Sequence, residues 1–256
     1  MTSGPDVQET GRRSAARRLL AVLGAFDHSR PALSLTGISR RAALPLATTH
    51  RLVGELAAWG ALERDAAGRY HVGPKVCELA ALAPRGLALR EAALPHLDDL
   101  YDVTHDTVHL AVRDGLDAVT IERVSGRRPV DVRGRAGARG PLYATGAGLV
   151  LLAHSAPALQ EQLCARPLPA LTAHTLTDPA LLRRTLAQVR RNGCALADRQ
   201  LADDLVSVAA PVRGARGEVV AAVSLVRSAQ GEPPVGLGPL VRVTARGISR
   251  ALGWTP

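Results

Sequence analysis

The stretch LATTHRLVGELAAWG (residues 46–60) places apolar residues at helical spacing and closes on a glycine, which ends helices readily. Wound as a helix, it aligns Leu52, Val53, Leu56 and Trp59 on one inward stripe. Thr48, Arg51 and Glu55 share the opposite face, with His50 beside them. The polar side chains crowd into the first two turns. A helix that reads DNA enters the major groove by its N-terminal end, so those turns are where base contacts arise. The hydroxyls of Thr48 and Thr49, with the helix N-terminus, suit phosphate oxygens, and Arg51 suits the bidentate edge of guanine.

The flanks supply the rest of such a module. Ser14 is placed to cap a first helix whose stripe is Leu19, Val22, Leu23 and Phe26. HSRPALS breaks it. A second short helix over residues 35–43 points Leu35, Ile38 and Ala42 inward, and Leu44-Pro45 punctuates before the third. After the third helix, ALERDAAGRYHVG reads as two short strands around an Asp-Ala-Ala-Gly turn. Arg40 and Arg41 end the second helix where a DNA backbone would pass. Arg64 and Arg69 sit on the hairpin, as on a wing that grips phosphate, and Arg12, Arg13, Arg17 and Arg18 add to the same end. One helix with one arginine would be unremarkable. The order helix, helix, turn, helix, hairpin, with a cation at each backbone contact, points to a winged helix-turn-helix.

The remaining composition narrows the field. A chain of 256 residues holds two ordinary domains. Aromatic residues are 2 %, so the cores rest on Leu, Val and Ala, and a stacking platform for single-stranded nucleic acid is disfavoured. The net charge of +9 suits a polyanionic partner, although Lys75 is the lone lysine and a general bias toward arginine inflates that figure. Cys77, Cys164 and Cys194 stand far apart and form no CxxC pair, which argues against thiolate zinc and fits a reducing compartment. Residues 1–13 are polar and expected to be disordered, without the apolar segment of a signal peptide. No run approaches the roughly 20 apolar residues of a membrane span. The expectation is a soluble, cytoplasmic protein with no membrane partner and no cofactor.

Pro74 suits the first position of a linker helix, PKVCELAALA, with Val76, Leu79 and Ala80 on one side, and Pro84 to Gly86 mark a boundary. A helix follows over residues 87–104, expected to kink at Pro95. TVHLAVR and AVTIERV are strands about the turn DGLD, and RRPVDVRGRAGARG is a basic, Gly-rich loop around one short strand. TGAGLVLLAH is a helix opened by glycines; DPALLRRTLAQVRRNG is a helix with a glycine stop. CALAD, VSVAAPVR and VVAAVSLVR are strands, and residues 238–252 a closing helix. The fold class is α+β, a mostly antiparallel sheet flanked by helices. The expected division is a tail at 1–13, a DNA-binding domain at 14–73, a linker helix at 74–86 and a second domain at 87–256.

LSLTGISRRAALPLATTHRLVGELAAWGALERDAAGRYHVGPKVCEL resembles the winged helix-turn-helix of the IclR family of bacterial transcriptional regulators. PLYATGAGLVLLA, NGCALADRQLADDLVSVAAPV and GEVVAAVSLV resemble that family's effector-binding domain, in the right order. Each landmark alone is loose, and the ordered set is specific. The resemblance implies a GAF-like second domain that binds a small molecule, often a carboxylate or aromatic acid, and serves in oligomerisation. Gly146, Ala147, Ser207 and Ser224 match ligand-contacting positions, and Leu205 an apolar wall. The residues agree: the helix start at Gly146 suits an anion, the small Gly146 and Ala147 let a ligand approach the backbone, and Ser207 and Ser224 are hydroxyls in apolar strands. Three positions depart from the family pattern. Ala47-Thr48-Thr49 replaces a Lys-Ser-Thr cluster, Ala197 stands where an acidic residue is frequent, and Val226 replaces a small polar residue.

Other constellations carry less. His105 and His109 have the i, i+4 spacing of a zinc helix but lie at a strand start, with Asp106 where a zinc protease has Glu. Gly146-Ala-Gly148 lacks both a third glycine and a preceding parallel strand–helix unit. No Gly-x-Ser-x-Gly elbow is present and no convergent acid, base and nucleophile emerge, so an enzyme is not expected. The expected function is a ligand-responsive regulator, repressor or activator. It would bind a pseudo-palindromic double-stranded operator as a homodimer or as a homotetramer built from two dimers. Effector binding would act through the linker helix. The alternative is a DNA-binding regulator whose second domain is only a dimerisation scaffold.

Overall fold

The computed structural model describes residues 14–27, 30–82, 87–126, 136–230 and 236–255. The tail at 1–13 with Arg12 and Arg13, the Pro84–Gly86 boundary and residues 127–135 of the basic loop therefore lie outside the described residues. The chain divides into two units, Met1–Ala83 and Pro84–Pro256.

The first unit is built from α1 (Ala15–Leu23), β1 (Ala32–Leu33), α2 (Leu35–Ala42), α3 (Leu46–Trp59), β2 (Leu62–Arg64), β3 (Tyr70–Val72) and α4 (Pro74–Ala81). Ser14 caps α1 by accepting from the Arg17 N–H, and Ser34 caps α2 by accepting from the Gly37 N–H. Between α2 and α3 the chain turns in three residues. Ala43 adopts a left-handed conformation, and the Ser39 hydroxyl donates to the Leu44 carbonyl at 2.7 Å. Val22, Ile38, Ala42, Leu52, Val53, Leu56, Ala61 and Leu62 close one core. Each fully buried Leu, Ile or Val contributes about 1.5–3 kcal/mol of transfer free energy. β2 and β3 form the expected hairpin. β1, which two residues of sequence could not announce, pairs with β3 to complete a sheet of order β1-β3-β2.

One inward assignment fails here. Trp59 is 51 % exposed, because the chain turns at Gly60 and Ala61 and Leu62 take the buried places that its stripe predicted. In α4 only Val76 packs on the core; Leu79 and Ala80 are exposed.

The second unit contains α5 (Leu87–Thr104), β4 (Thr107–Asp114), β5 (Asp117–Val124), β6 (Arg139–Pro141), α6 (Gly146–Ala153), α7 (Pro157–Cys164), α8 (Pro179–Asn192), β7 (Ala195–Asp198), β8 (Leu205–Arg213), β9 (Val219–Ser228) and α9 (Leu237–Ala251). α5 runs through Pro95 without interruption. The strands form one antiparallel sheet of order β6-β5-β4-β9-β8-β7. Side chains alternate between its faces, as the two-residue repeat of a strand requires. Val108, Leu110, Val208, Val223 and Leu225 pack with α5 and α9 on one face. Ala111, Ala118, Ala209 and Ala222 pack with α6 and α8 on the other. All eight residues of α6 are buried, so this short helix is apolar on every side, as a helix enclosed by its neighbours must be. The small residues on the α6 face of the sheet are what leave room for a cavity.

Candidate functional site

In the first unit the exposed face of α3 presents Leu46, Ala47, His50, Arg51, Gly54 and Glu55. The helix begins at Pro45 with no side-chain cap, so its first N–H groups point outward without an internal acceptor. Arg51 pairs with Glu55 one turn on, both side chains more than half exposed. Such a surface pair contributes about 0–1 kcal/mol and leaves the guanidinium free to exchange partners. Thr48 is half-buried and His50 exposed. Arg17 and Arg40 are exposed. Arg64 lies over the Tyr70 ring at 5.7 Å and donates from Nε to the Gly68 carbonyl at 3.3 Å.

Four of the sequence-derived candidates are buried or already engaged within the first unit. Thr49 is fully buried and its hydroxyl donates to the Pro45 carbonyl at 3.1 Å, so it closes the first turn instead of facing DNA. Arg41 donates to the Ala25 carbonyl and pairs with Asp27, tying α2 to the end of α1. Arg69 is bound to Asp65 within the wing turn, where the Arg69 N–H also donates to the same carboxylate and holds its pKa low. Arg18 is half-buried, with Nε packed away from solvent. Sequence reasoning also overlooked Gly54. It lies in the middle of the exposed face of α3 with open space around its Cα, where alanine would favour the helix by about 1 kcal/mol.

The second unit holds a pocket between α6 and the sheet. Gly146, Ala147, Leu205, Ser207 and Ser224 all line it, as do Ala197 and Val226. Their convergence follows from register. On β9, Ser224 pairs with His109 of β4 on one side and Ala209 of β8 on the other, and Ser207 pairs with Val226. All of these side chains therefore share the face under α6.

The start of α6 is more occupied than its sequence implied. The Thr145 hydroxyl accepts from the Gly148 N–H at 3.0 Å, and the Ser207 hydroxyl accepts from the Gly146 N–H at 3.0 Å. Of the first three N–H groups, only that of Ala147 has no partner among the described residues. Because Ser207 accepts through its oxygen, its proton remains available to donate. The absence of a side chain at Gly146 is required by that bond: a Cβ there would lie 2.4 Å from the Ser207 oxygen. Close packing of helix on strand, as well as approach of a ligand, dictates glycine here.

The mouth carries Arg139, whose guanidinium is held by Asp114 at 2.7 Å and Asp117 at 3.2 Å, so its charge is already balanced. His109, weighed above only for its spacing from His105, also lines the pocket and is 6 % exposed. Burial, and then the charge of Arg123 beside it, lowers its pKa to about 4 and keeps the imidazole neutral near pH 7. His105 precedes β4 in a left-handed conformation, so the two histidines do not share a helix face. Among the described residues no group of three His, Cys, Asp or Glu side chains could hold a metal, and no helix is long and apolar enough to cross a membrane.

Comparison with known proteins bears on both units. Residues 15–66 match the IclR helix-turn-helix domain, and residues 82–250 match the bacterial transcriptional regulator IclR C-terminal domain. The HTH-type transcriptional regulator BhcR of Paracoccus denitrificans is 32 % identical over 87 % of this chain and 80 % of its own. The Pca regulon regulatory protein of Pseudomonas putida is 34 % identical over 81 % of this chain and 72 % of its own. A crystal structure of an IclR homologue from Microbacterium hydrocarbonoxydans, complexed with 4-hydroxybenzoate, aligns with a TM-score of 0.87 at 34 % identity, covering 93 % of this chain and 98 % of that one. The match runs through both units in the same order, and the chain belongs to the IclR family of bacterial transcriptional regulators.

Proposed function

We propose that this regulator binds a pseudo-palindromic operator as a homodimer or a dimer of dimers and responds to a small organic acid, an aromatic carboxylate by preference. Arg51, His50, Thr48 and the open start of α3 meet base edges and phosphates. Arg40, Arg17 and the Arg64 wing hold the backbone. The Ala147 N–H and the Ser207 hydroxyl, at the positive end of α6, receive the carboxylate. The alanines, Leu205 and Val226 enclose the ring.

The observation that carries the sensing half is the pocket itself. A pure scaffold would be expected to fill that space, yet Ala197 and Val226, two of the departures from the family pattern, line an open pocket. The bound 4-hydroxybenzoate of the Microbacterium homologue supports the ligand class.

The test is a gel shift on DNA from upstream of the chain's own gene, with nonspecific competitor, at two salt concentrations, repeated with benzoate and 4-hydroxybenzoate. A discrete shift that weakens steeply with salt, and that an acid alters, is the expected result. A specific shift that no acid changes, together with a melting temperature that no acid raises, would leave the second unit a scaffold.

A further inference from the structure

The carboxylate end uses α6 and β8, and leaves the far side of the pocket unexplained. There His109 stands on β4 with Ser224 directly across the ladder on β9. Both are buried, at 6 % and 3 % exposure, and both line the pocket. The His109 Nε2 is enclosed and has no hydrogen-bond partner among the described residues. Polar side chains at that depth are almost always paired, and leaving one unpaired forfeits its hydration without return. The ordinary occupants of such a site are a ligand group or a water molecule.

We infer that His109, with Ser224, determines specificity by hydrogen-bonding an uncharged hydroxyl on the effector, so that the regulator senses hydroxylated aromatic acids in preference to unsubstituted ones. This rests on the proposed sensing of aromatic carboxylates. Three observations favour a hydroxyl over a second charge. The imidazole is neutral near pH 7 and offers one donor and one acceptor, the complement of a phenol and a poor counter-ion for a carboxylate. Ser224 adds a hydroxyl that both donates and accepts. Arg139, the charged side chain of the lining, is committed to Asp114 and Asp117. The spacing agrees as well. Two inter-strand steps separate β4 from β8, roughly 10 Å across the sheet. That distance seats one aromatic ring between the Ser207 end and the imidazole end, with hydrogen bonds at both.

The experiment is calorimetric titration of the full chain with benzoate, 3-hydroxybenzoate and 4-hydroxybenzoate, in the wild type and in His109→Leu and His109→Gln, with circular dichroism confirming the fold of each. The wild type is expected to prefer one hydroxylated acid over benzoate by tenfold or more. His109→Leu should bring that preference within threefold. His109→Gln, which keeps a donor and an acceptor, should retain part of it. A preference that survives in His109→Leu, or a uniform loss for all three acids, overturns the role of His109. Failure of the wild type to bind any of the three overturns the aromatic-acid reading beneath it.

Discussion

Helices α3 and α6, each proposed to receive an anion at its start, begin in opposite ways. α3 starts at Pro45 with no side-chain cap, its first residues exposed. α6 starts beneath Thr145 and Ser207, which take two of its first three N–H groups, and every residue of it is buried. An open helix end offers several weak, salt-screened donors to a polyanion that arrives as a surface. A closed end offers one or two donors in a dry, shaped space, so the ligand must be small and its geometry must fit. In the proposed reading one device, the positive end of a helix, serves affinity for DNA in one unit and selectivity for a small acid in the other.

The comparison breaks most sharply at Gly146. Gly146→Val places a branched side chain where the Ser207 hydroxyl already sits, which should cost about 3 kcal/mol of stability and abolish acid binding. Urea unfolding and calorimetry measure the two effects, and a variant that still binds benzoate would show that the closed start of α6 is not the carboxylate site.

Acid should separate the units next. Between pH 6.5 and about 4 the unfolded chain takes up a proton at His109 that the native chain refuses. Stability is therefore flat above that window and falls as pH drops through it, by up to about 3 kcal/mol. His154, lowered by burial and then by Arg213 and Arg190, acts in the same direction. Among the described residues the first unit has no buried histidine, so unfolding at pH 5 should begin in the second unit. His109→Leu should flatten most of the slope, and an unchanged pH profile would contradict the neutral, buried imidazole.

On the open side, Arg51→Ala is expected to weaken operator binding by about 1–3 kcal/mol and to relax base preference at one position of each half-site. Anisotropy with operator variants at fixed salt reads both, and no change in either would remove Arg51 from the recognition set. The smallest effect belongs to Gly54→Ala. Filling that open position should stabilise the chain by about 0.5–1 kcal/mol while lowering operator affinity severalfold, because the methyl group enters the face that approaches DNA. Equal affinity would mean that α3 keeps its distance at that turn.

The sequence located most elements because each carries a local signature. Ser14, Asp178, Gly60 and Gly193 mark helix ends by their own chemistry, and the stripes of α1, α2 and α3 follow a period visible within one window. β1 has two residues and therefore no period, and α7, which no stripe had announced, is short and weakly patterned. Site residues divide along the same line. The five pocket positions were legible through the family resemblance, and the register brings them together. The arginines were harder, because arginine is abundant in this chain and the sequence does not say which ones a neighbouring carboxylate has already taken. Arg41 and Arg69 pair with Asp27 and Asp65, and the Thr49 hydroxyl donates to the Pro45 carbonyl. His109 was noticed for its spacing from His105, which the strand makes irrelevant. Its pairing with Ser224 depends on a strand far along the chain.

That distant strand has a consequence for how the molecule is made. The first unit draws its sheet and core from consecutive residues, so it can finish soon after it leaves the ribosome. The second cannot. β9 sits between β4 and β8 and is the seam that joins β6-β5-β4 to β8-β7, and the Asp106–Arg227 pair that fastens β9 to the start of β4 spans 121 positions. Contacts of such long range are slow to form, and until they do, two apolar strand edges stand open. Synthesis that stops before residue 219 therefore releases a completed DNA-binding head attached to two sticky half-sheets, a species destined for aggregation or proteolysis.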